Sequence, residues 1–456
     1  MRNVSCLVFS IAVTSLTAIA GPLPIDPLWK SETFRKSITA SYGIDSRIEP
    51  RITEDEAFYL DQSAAAMASN DRLKAIKVLL ESSLLAQSPA MLFTLASLEF
   101  EAEKTDESVK HFEAALSQFP NFRDAHRNFA VVLVQSGKFK EAKSHLIRAL
   151  ELGANDGLTA GLLAYCHSLD GHHQAALDAY RLALLTQPEE RQWKLGSAQA
   201  LLALGHSREA ASILQSLIDA TPGESSPWLV QSDAWIDLDE ELRAVANLEI
   251  VHRSGSLEPN ATLSLGHLYL QNGLPDLALD RYRAAVTAPE PPPASRAVEA
   301  LEMFLSNSEW SRGKEFSTLL EGSDSYRKDL DPATGDKTLL SRLNRTRAVI
   351  ELETGDAATG AKRIEEWLQR EPLDGQAILL LARFREEGGE RVEAEMLLEQ
   401  AARIPDSAAS AHLAHGRLLV AANDFGKALE HLEKSQELNP NEALAEYIVA
   451  IRELAP

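Results

Sequence analysis

The sequence predicts an all-α protein, an α-solenoid built from stacked helix pairs. Two observations carry the prediction. Ala142, Ala176, Ala210, Ala244 and Ala278 recur at equal intervals with no insertion or deletion between them. Leu146, Tyr180, Leu214, Leu248 and Tyr282 follow four positions later, and Ala149, Ala183, Leu217, Val251 and Ala285 three positions after those. Small, large, small at i, i+4 and i+7 is one face of a helix, and its return at a fixed period makes a stack of like helical units. Function is therefore expected on the array's surface.

A chain of 456 residues would ordinarily divide into about three domains, but a solenoid grows by nearest-neighbour stacking and escapes the size limit of one core. Acidic residues (67) exceed basic ones (45), for a net charge of −22. That field repels phosphate backbones and anionic membrane surfaces, so nucleic acid is excluded as an expected partner.

Residues 1–20 read as a secretory signal. Arg2 gives a positive start, Val4 to Thr17 is almost wholly apolar, and Ala18-Ile19-Ala20 supplies the small residues before a cut after Ala20. The alternative is a retained anchor, but the apolar run is at the short limit for spanning a bilayer. Cys6 lacks a Leu-x-x-Cys lipoprotein setting. Cleavage leaves Cys166 alone, with no internal disulfide, and its place in a helix interior predicts a buried, inert thiol. No second apolar run is long enough for a span, so no stable membrane insertion is expected after cleavage.

Residues 21–51 precede the repeats. Pro22, Pro24, Pro27 and Pro50 interrupt regular structure, while Trp29, Phe34 and Tyr42 give more apolar weight than a linker carries. Two readings stay open: a strap covering the exposed end of the first repeat, or a tethered peptide that occupies a groove or recruits a partner. An atypical helix pair follows over about 52–87, turning at Ser69-Asn70-Asp71, with Leu79 and Leu80 expected inward.

From Pro89 the register locks into units starting at 89, 123, 157, 191, 225 and 259. Pro120, Pro188 and Pro222 at position 32 end second helices, since proline cannot continue one. Gly137, Gly171, Gly205 and Gly273 at position 15 serve the turn between helices. Ala96, Ala130, Ala164, Ala198 and Gly266 at position 8 let helices approach closely.

This pattern resembles the tetratricopeptide repeat. The unit at 157 matches it with Leu163, Ala164, Gly171, Ala176, Tyr180, Ala183 and Pro188, and the unit at 259 with Leu265, Gly266, Tyr269, Gly273, Ala278, Tyr282 and Ala285. The resemblance covers about 52–440 and implies a right-handed superhelix of antiparallel helix pairs. It also resembles, more faintly, envelope tetratricopeptide proteins associated with TonB-type machinery.

Regularity breaks at Pro289–Pro293, four prolines in five residues, expected to be a stiff joint. A degenerate pair follows from Ala297 to Leu320, with Gly313 where alanine is expected. After Ala278, position 20 is next taken up cleanly at Gly360, which is two periods on with an insertion besides. The expected organisation is thus an array over 52–322 of about eight units, a loop insertion over 323–338, three further units over 339–440, and a capping helix over 441–456. That helix should turn Ala443, Leu444, Ile448, Ile451 and Leu454 inward.

Almost every residue thereby has a packing role, and no P-loop, Gly-x-Ser-x-Gly, His-Glu-x-x-His or paired Cys-x-x-Cys occurs. No enzyme, metal or cofactor is expected. His412 and His415 have a spacing that can share zinc, but no third ligand is evident, and they read as packing histidines. Asn260-Ala-Thr262 and Asn344-Arg-Thr346 fit the glycosylation pattern and carry little weight.

The resemblance implies that positions 2, 5, 9, 12 and 13 of each first helix line a peptide-binding groove. In units 89 to 191 these give Phe93, Phe100, Arg127, Val131, Val134, Leu158, Tyr165, Leu195, Gln199 and Leu202, an apolar trough suited to a hydrophobic segment. In units 341 to 409 they give Arg342, Arg345, Arg383 and Arg417, with Glu353, Glu386 and Glu387, suited to acidic groups. The bland reading is that the apolar residues complete the core and the arginines lie along a solvated face. The expected function is a non-catalytic protein- or peptide-binding adaptor or scaffold, exported and periplasmic. The alternatives are a component of a TonB-type system and a self-associating scaffold.

Overall fold

Local chemistry places each helix end before packing does. The structure, a computed structural model, describes Tyr42 and residues 45–454. The expected leader, its cut, Cys6 and most of the Pro/aromatic segment lie outside these residues. All regular structure among them is helical: α1 (Glu54–Ala68) with α2 (Arg72–Leu80), α3 (Pro89–Glu101) with α4 (Thr105–Gln118), α5 (Arg123–Gln135) with α6 (Phe139–Glu151), α7 (Gly157–Leu169) with α8 (His173–Thr186), α9 (Arg191–Ala203) with α10 (Ser207–Ala220), and α11 (Ser225–Asp237) with α12 (Glu241–Arg253). After these come α13 (Pro259–Gln271) with α14 (Pro275–Val286), α15 (Ala294–Ser306) with α16 (Trp310–Glu321), α17 (Lys337–Glu353) with α18 (Ala357–Leu368), α19 (Gly375–Glu387) with α20 (Arg391–Ala401), α21 (Pro405–Ala421) with α22 (Phe425–Leu438), and a single α23 (Glu442–Leu454). The chain is an all-helical α-solenoid, and it falls into two compact units divided within α12 at Val251.

Thr53 opens α1 with a capping box: its hydroxyl accepts from the Glu56 amide, and its own amide donates to the Glu56 carboxylate. Asp156, Asp336 and Asp374 cap α7, α17 and α19 by accepting from amides three residues on. Second helices stop two residues before Pro120, Pro188, Pro222 and Pro440, as expected for a residue that forbids helix ahead of it.

The turn inside each pair is the most constant feature. Asn70, Glu103, Gly137, Gly171, Gly205, Asp239, Gly273, Ser308, Gly355, Gly389 and Asn423 all have φ between 57° and 87°. The next residue donates back across the turn, as Lys138 does to the Leu133 carbonyl and His172 to that of His167. The left-handed conformation is thus demanded even where glycine is absent. A left-handed L-residue costs about 1–2 kcal/mol, and glycine returns about 0.4–1 kcal/mol to the unfolded chain. Glu103→Gly is therefore expected to raise stability by up to about 1 kcal/mol, read as a higher denaturant midpoint at unchanged slope.

The repeating stripe is the core. Ala142, Ala176, Ala210, Ala244 and Ala278 are fully buried, as are Leu146, Tyr180, Leu214, Leu248 and Tyr282. Phe93, Phe112, Phe122 and Phe129 pack rings across α3–α5, with centroids 4.9–6.0 Å apart. Two expectations need correction. Leu80 points to solvent while Leu79 alone turns in, because α2 ends at Leu80. In α23, Leu444, Ile448 and Ile451 pack on Leu432, whereas Ala443 is one residue off that stripe and Leu454 sits exposed in the last turn. The loop after α16 is anchored at one point: Tyr326 is fully buried, and its hydroxyl donates to the Pro292 carbonyl at 2.9 Å.

Candidate functional site

In the first compact unit, α3, α5, α7 and α9 carry the expected trough residues. Phe93 is 2% exposed and its ring lies 4.9 Å from that of Phe122. Val131, Val134, Leu158 and Leu195 are buried, and Tyr165, 8% exposed, meets Phe139 edge-on at 5.9 Å. Phe100, Gln199 and Leu202 are half-buried. The Arg127 guanidinium is half-buried and lies 3.4 Å from Asp156, the residue that caps α7. The structure thus brings the apolar set together, but as packed side chains. The parts of it that reach solvent are Phe100, Arg127, Gln199 and Leu202.

Residues that periodicity could not flag sit on this face. The Tyr42 hydroxyl hydrogen-bonds Thr94 Oγ1 at 2.9 Å, and burial pushes the phenol up to about 12. The Arg123 amide donates to the Ile48 carbonyl at 3.2 Å, and its guanidinium pairs with buried Glu49 at 3.6 Å and with Asp124 at 2.9 Å. The only sequence signal for Tyr42 was an aromatic in a proline-rich stretch.

In the second unit, the arginines are mostly engaged. Arg342 forms a two-pronged pair with Glu302, at 2.9 and 2.5 Å. Arg383 pairs with Glu387 at 2.8 Å and Glu353 at 3.2 Å. Arg345 donates to the Ser341 carbonyl at 3.4 Å, and burial lowers its pKa against the pull of Asp374 and Glu302. Arg417 is exposed. A separate cleft of about 600 Å³ opens between α14 and α16, lined by Leu279, Val286, Phe316 and Leu319, with Arg283 and Glu315 paired across it.

Histidines form matched clusters. His412 Nδ1 lies 3.0 Å from His431 Nδ1, and His415 stacks on His431 at 4.0 Å. His126 Nδ1 lies 2.8 Å from His145 Nδ1, at the same two positions of the unit that starts at 123. His126 Nε2 is 2.9 Å from the Pro120 carbonyl. It must carry the proton there, so when His126 is neutral its Nδ1 accepts from His145. His431 is the third ring that the spacing of His412 and His415 did not reveal. Among the described residues, however, no group of three His, Cys, Asp or Glu is placed to hold a metal ion.

Burial pushes His145, His267 and His431 down to about 4 from 6.5. A folded-state pKa below the unfolded one means that the unfolded chain binds more protons between the two. Stability from these groups is thus complete above 6.5 and is lost as pH falls toward about 4. The melting temperature should drop from pH 7 to pH 5, and His431→Phe, which keeps a ring and removes a titration, should flatten that slope. Cys166 is buried and its thiol is pushed up to about 12, leaving it protonated at neutral pH. Thr262 and Thr346 of the two glycosylation-type triplets are buried within helices. No helix among the described residues is long and apolar enough to cross a membrane.

The fold defines a class first: a helical-repeat protein whose chemistry is that of a surface. Sequence profiles described as Tetratricopeptide repeat match residues 99–165, 170–225 and 409–442. The chain therefore carries tetratricopeptide repeats, which serve as protein–protein interaction scaffolds. No curated protein matches it. Among solved structures, a tetratricopeptide repeat protein from Parabacteroides merdae ATCC 43184 is similar at 16% identity, covering 55% of this chain and 98% of that one, with a TM-score of 0.37. YrrB, described as a TPR protein with an unusual peptide-binding site, is similar at 16% identity, covering 42% of this chain and 91% of its own, with a TM-score of 0.36. Naa15/Naa10 bound to HypK-THB is similar at 16% identity over 87% of this chain and 66% of that one, with a TM-score of 0.38.

Proposed function

We propose that this protein is a non-catalytic adaptor or scaffold that binds a protein or peptide partner in the cell envelope. The observation that carries the reading is the array itself: eleven helix pairs with a closing helix among the described residues, matched by tetratricopeptide profiles in three places. The envelope location rests on the leader-like composition of residues 1–20. Partnership with a TonB-type system is the finer pathway reading and self-association the structural one.

The groove residues to probe are the half-buried ones. Glutamate at Val131 or Tyr165 would bury a charge and unfold the pair, whereas Leu202 on α9 reaches solvent. A photoreactive residue at Leu202 should crosslink one dominant partner in a native envelope extract, and Leu202→Glu should abolish capture at unchanged helicity. Crosslinks only between copies of this chain would replace the adaptor with the scaffold. Unchanged capture by Leu202→Glu would remove the groove from the reading.

A further inference from the structure

Two units carry a histidine pair at the same two positions, and only one of them adds a third histidine. In the unit at 123, His126 Nδ1 lies 2.8 Å from His145 Nδ1, and the ring that packs on His145 is Phe129 at position 7, its centroid 4.7 Å away. In the unit at 409, His412 Nδ1 lies 3.0 Å from His431 Nδ1, and position 7 holds His415, with its centroid 4.0 Å from that of His431. Only one proton fits between two Nδ1 atoms so placed. A first added proton can sit on a distal Nε2 and leave that bond intact, but a second sets one N–H donor against another. His415, 6% exposed, would add its own charge at ring contact.

The surroundings give such charges little relief. Burial is the first reason that His412, His415 and His431 all sit below 6.5, and Lys434 on α22 and Arg391 on α20 push the same way, while Glu395 and Glu399 on α20 draw His415 back. On α19 and α23, which also pack here, Arg383 is paired with Glu387 at 2.8 Å and Arg452 with Glu433 of α22 at 2.6 Å. The helices meet closely at the cluster. A methyl at Gly416 would stand 2.7 Å from the Leu432 side chain, and Leu432 in turn packs on Leu444, Ile448 and Ile451 of α23. The unit at 123 has layers on both sides, whereas no helix follows α23 among the described residues. A layer at the end of a stack has fewer neighbours to hold it and opens most easily.

We propose that His412, His415 and His431 form an acid-operated latch on the carboxy-terminal end of the array. With the rings neutral, α22 is held to α21. When the cluster takes up two or more protons, α22 lets go and carries α23 with it, baring Leu432 and the α23 stripe while the rest of the array stays folded. The matched pair of the unit at 123 lacks both the third charge and the end position, so it does not open on its own. The latch does not rest on the adaptor reading.

The test follows the whole chain by hydrogen exchange and mass spectrometry at pH 7.5 and pH 5, with rates corrected for the intrinsic pH dependence of exchange. A histidine that is neutral when closed and protonated when open favours opening by up to about tenfold for each pH unit below 6.5. Amides of α22 and α23 should therefore exchange on the order of a hundredfold faster at pH 5, while those of α5 and α6 stay protected. His415→Phe installs the ring that the unit at 123 already holds at this position, and it should cut the acceleration about tenfold. Lys434→Glu, on an exposed side chain, should move the opening to lower pH without touching the packing. Acceleration that reaches α5 and α6 equally, acceleration absent from α22 and α23, or acceleration that both variants leave unchanged would each overturn the latch.

Discussion

Trp193→Ala is expected to cost about 3–5 kcal/mol, the range for truncating a buried aromatic. Trp193 is 0% exposed, its indole nitrogen donates to the Gln187 side chain at 2.9 Å, and its ring packs 6.2 Å from that of Tyr180. Removing it opens a cavity where α7, α8 and α9 meet, and it orphans the Gln187 carbonyl. Because each repeat leans only on its neighbours, the loss should appear as an earlier, separate unfolding step around α7–α10. A single, uniformly shifted transition by both circular dichroism and hydrogen exchange would contradict that local view.

Gly161→Ala should be the next most damaging change, although alanine is the better helix former by about 1 kcal/mol. A methyl at Gly161 would stand 2.3–2.5 Å from three atoms of the Trp193 ring, and that ring is fully enclosed. Overpacking of this kind costs about 1–3 kcal/mol. With contacts this short and no flexible end to yield, the clash outweighs the propensity, for a net loss of about 1–2 kcal/mol in denaturant unfolding. Gly161→Ala together with Trp193→Phe should be less than additive, because the smaller ring makes room for the methyl. A stabilised Gly161→Ala chain would show that the ring can move.

The packing logic behind these two changes was legible in part. The small residues at positions 8 and 20 and the large one at 24 announced themselves by returning in unit after unit, and they are the buried stripe. The turn was legible where glycine marks it. At Glu103 and Ser308 the same left-handed geometry is imposed by the helices on either side and no residue type betrays it, whereas Asp239 and Asn423 are at least types that tolerate it. Gly161 has no counterpart in neighbouring units, so its partnership with a ring at the start of the following unit could not be read from a period.

The trough was less legible, for a different reason. A position number says which way a side chain points but not what lies against it, so Phe93 and Val131 could be placed on first helices without revealing that they are packed away. The contacts of Tyr42 with Thr94 and of Glu49 with Arg123 join places far apart in the chain, and they belong to a stretch that repeats nothing. The arginines of the second unit illustrate the complementary case: Glu302 and Glu353 neutralise Arg342 and Arg383 from neighbouring helices, which charge counting could not anticipate.

The spacing of the left-handed turn residues has a practical consequence. Successive ones keep the period of the array to within one position throughout, except for the longer step between Ser308 and Gly355, and the surplus lies after α16, between pairs. One residue added inside α8 would rotate the rest of that helix's face by about 100° about its axis and turn part of its buried stripe to solvent. Chain added at exposed Pro332–Thr334, beyond the Tyr326 anchor, changes no helix's bearing on another. That bend is a natural docking port for cargo, where a reporter or a whole folded module can be spliced in while every stacked layer keeps its place.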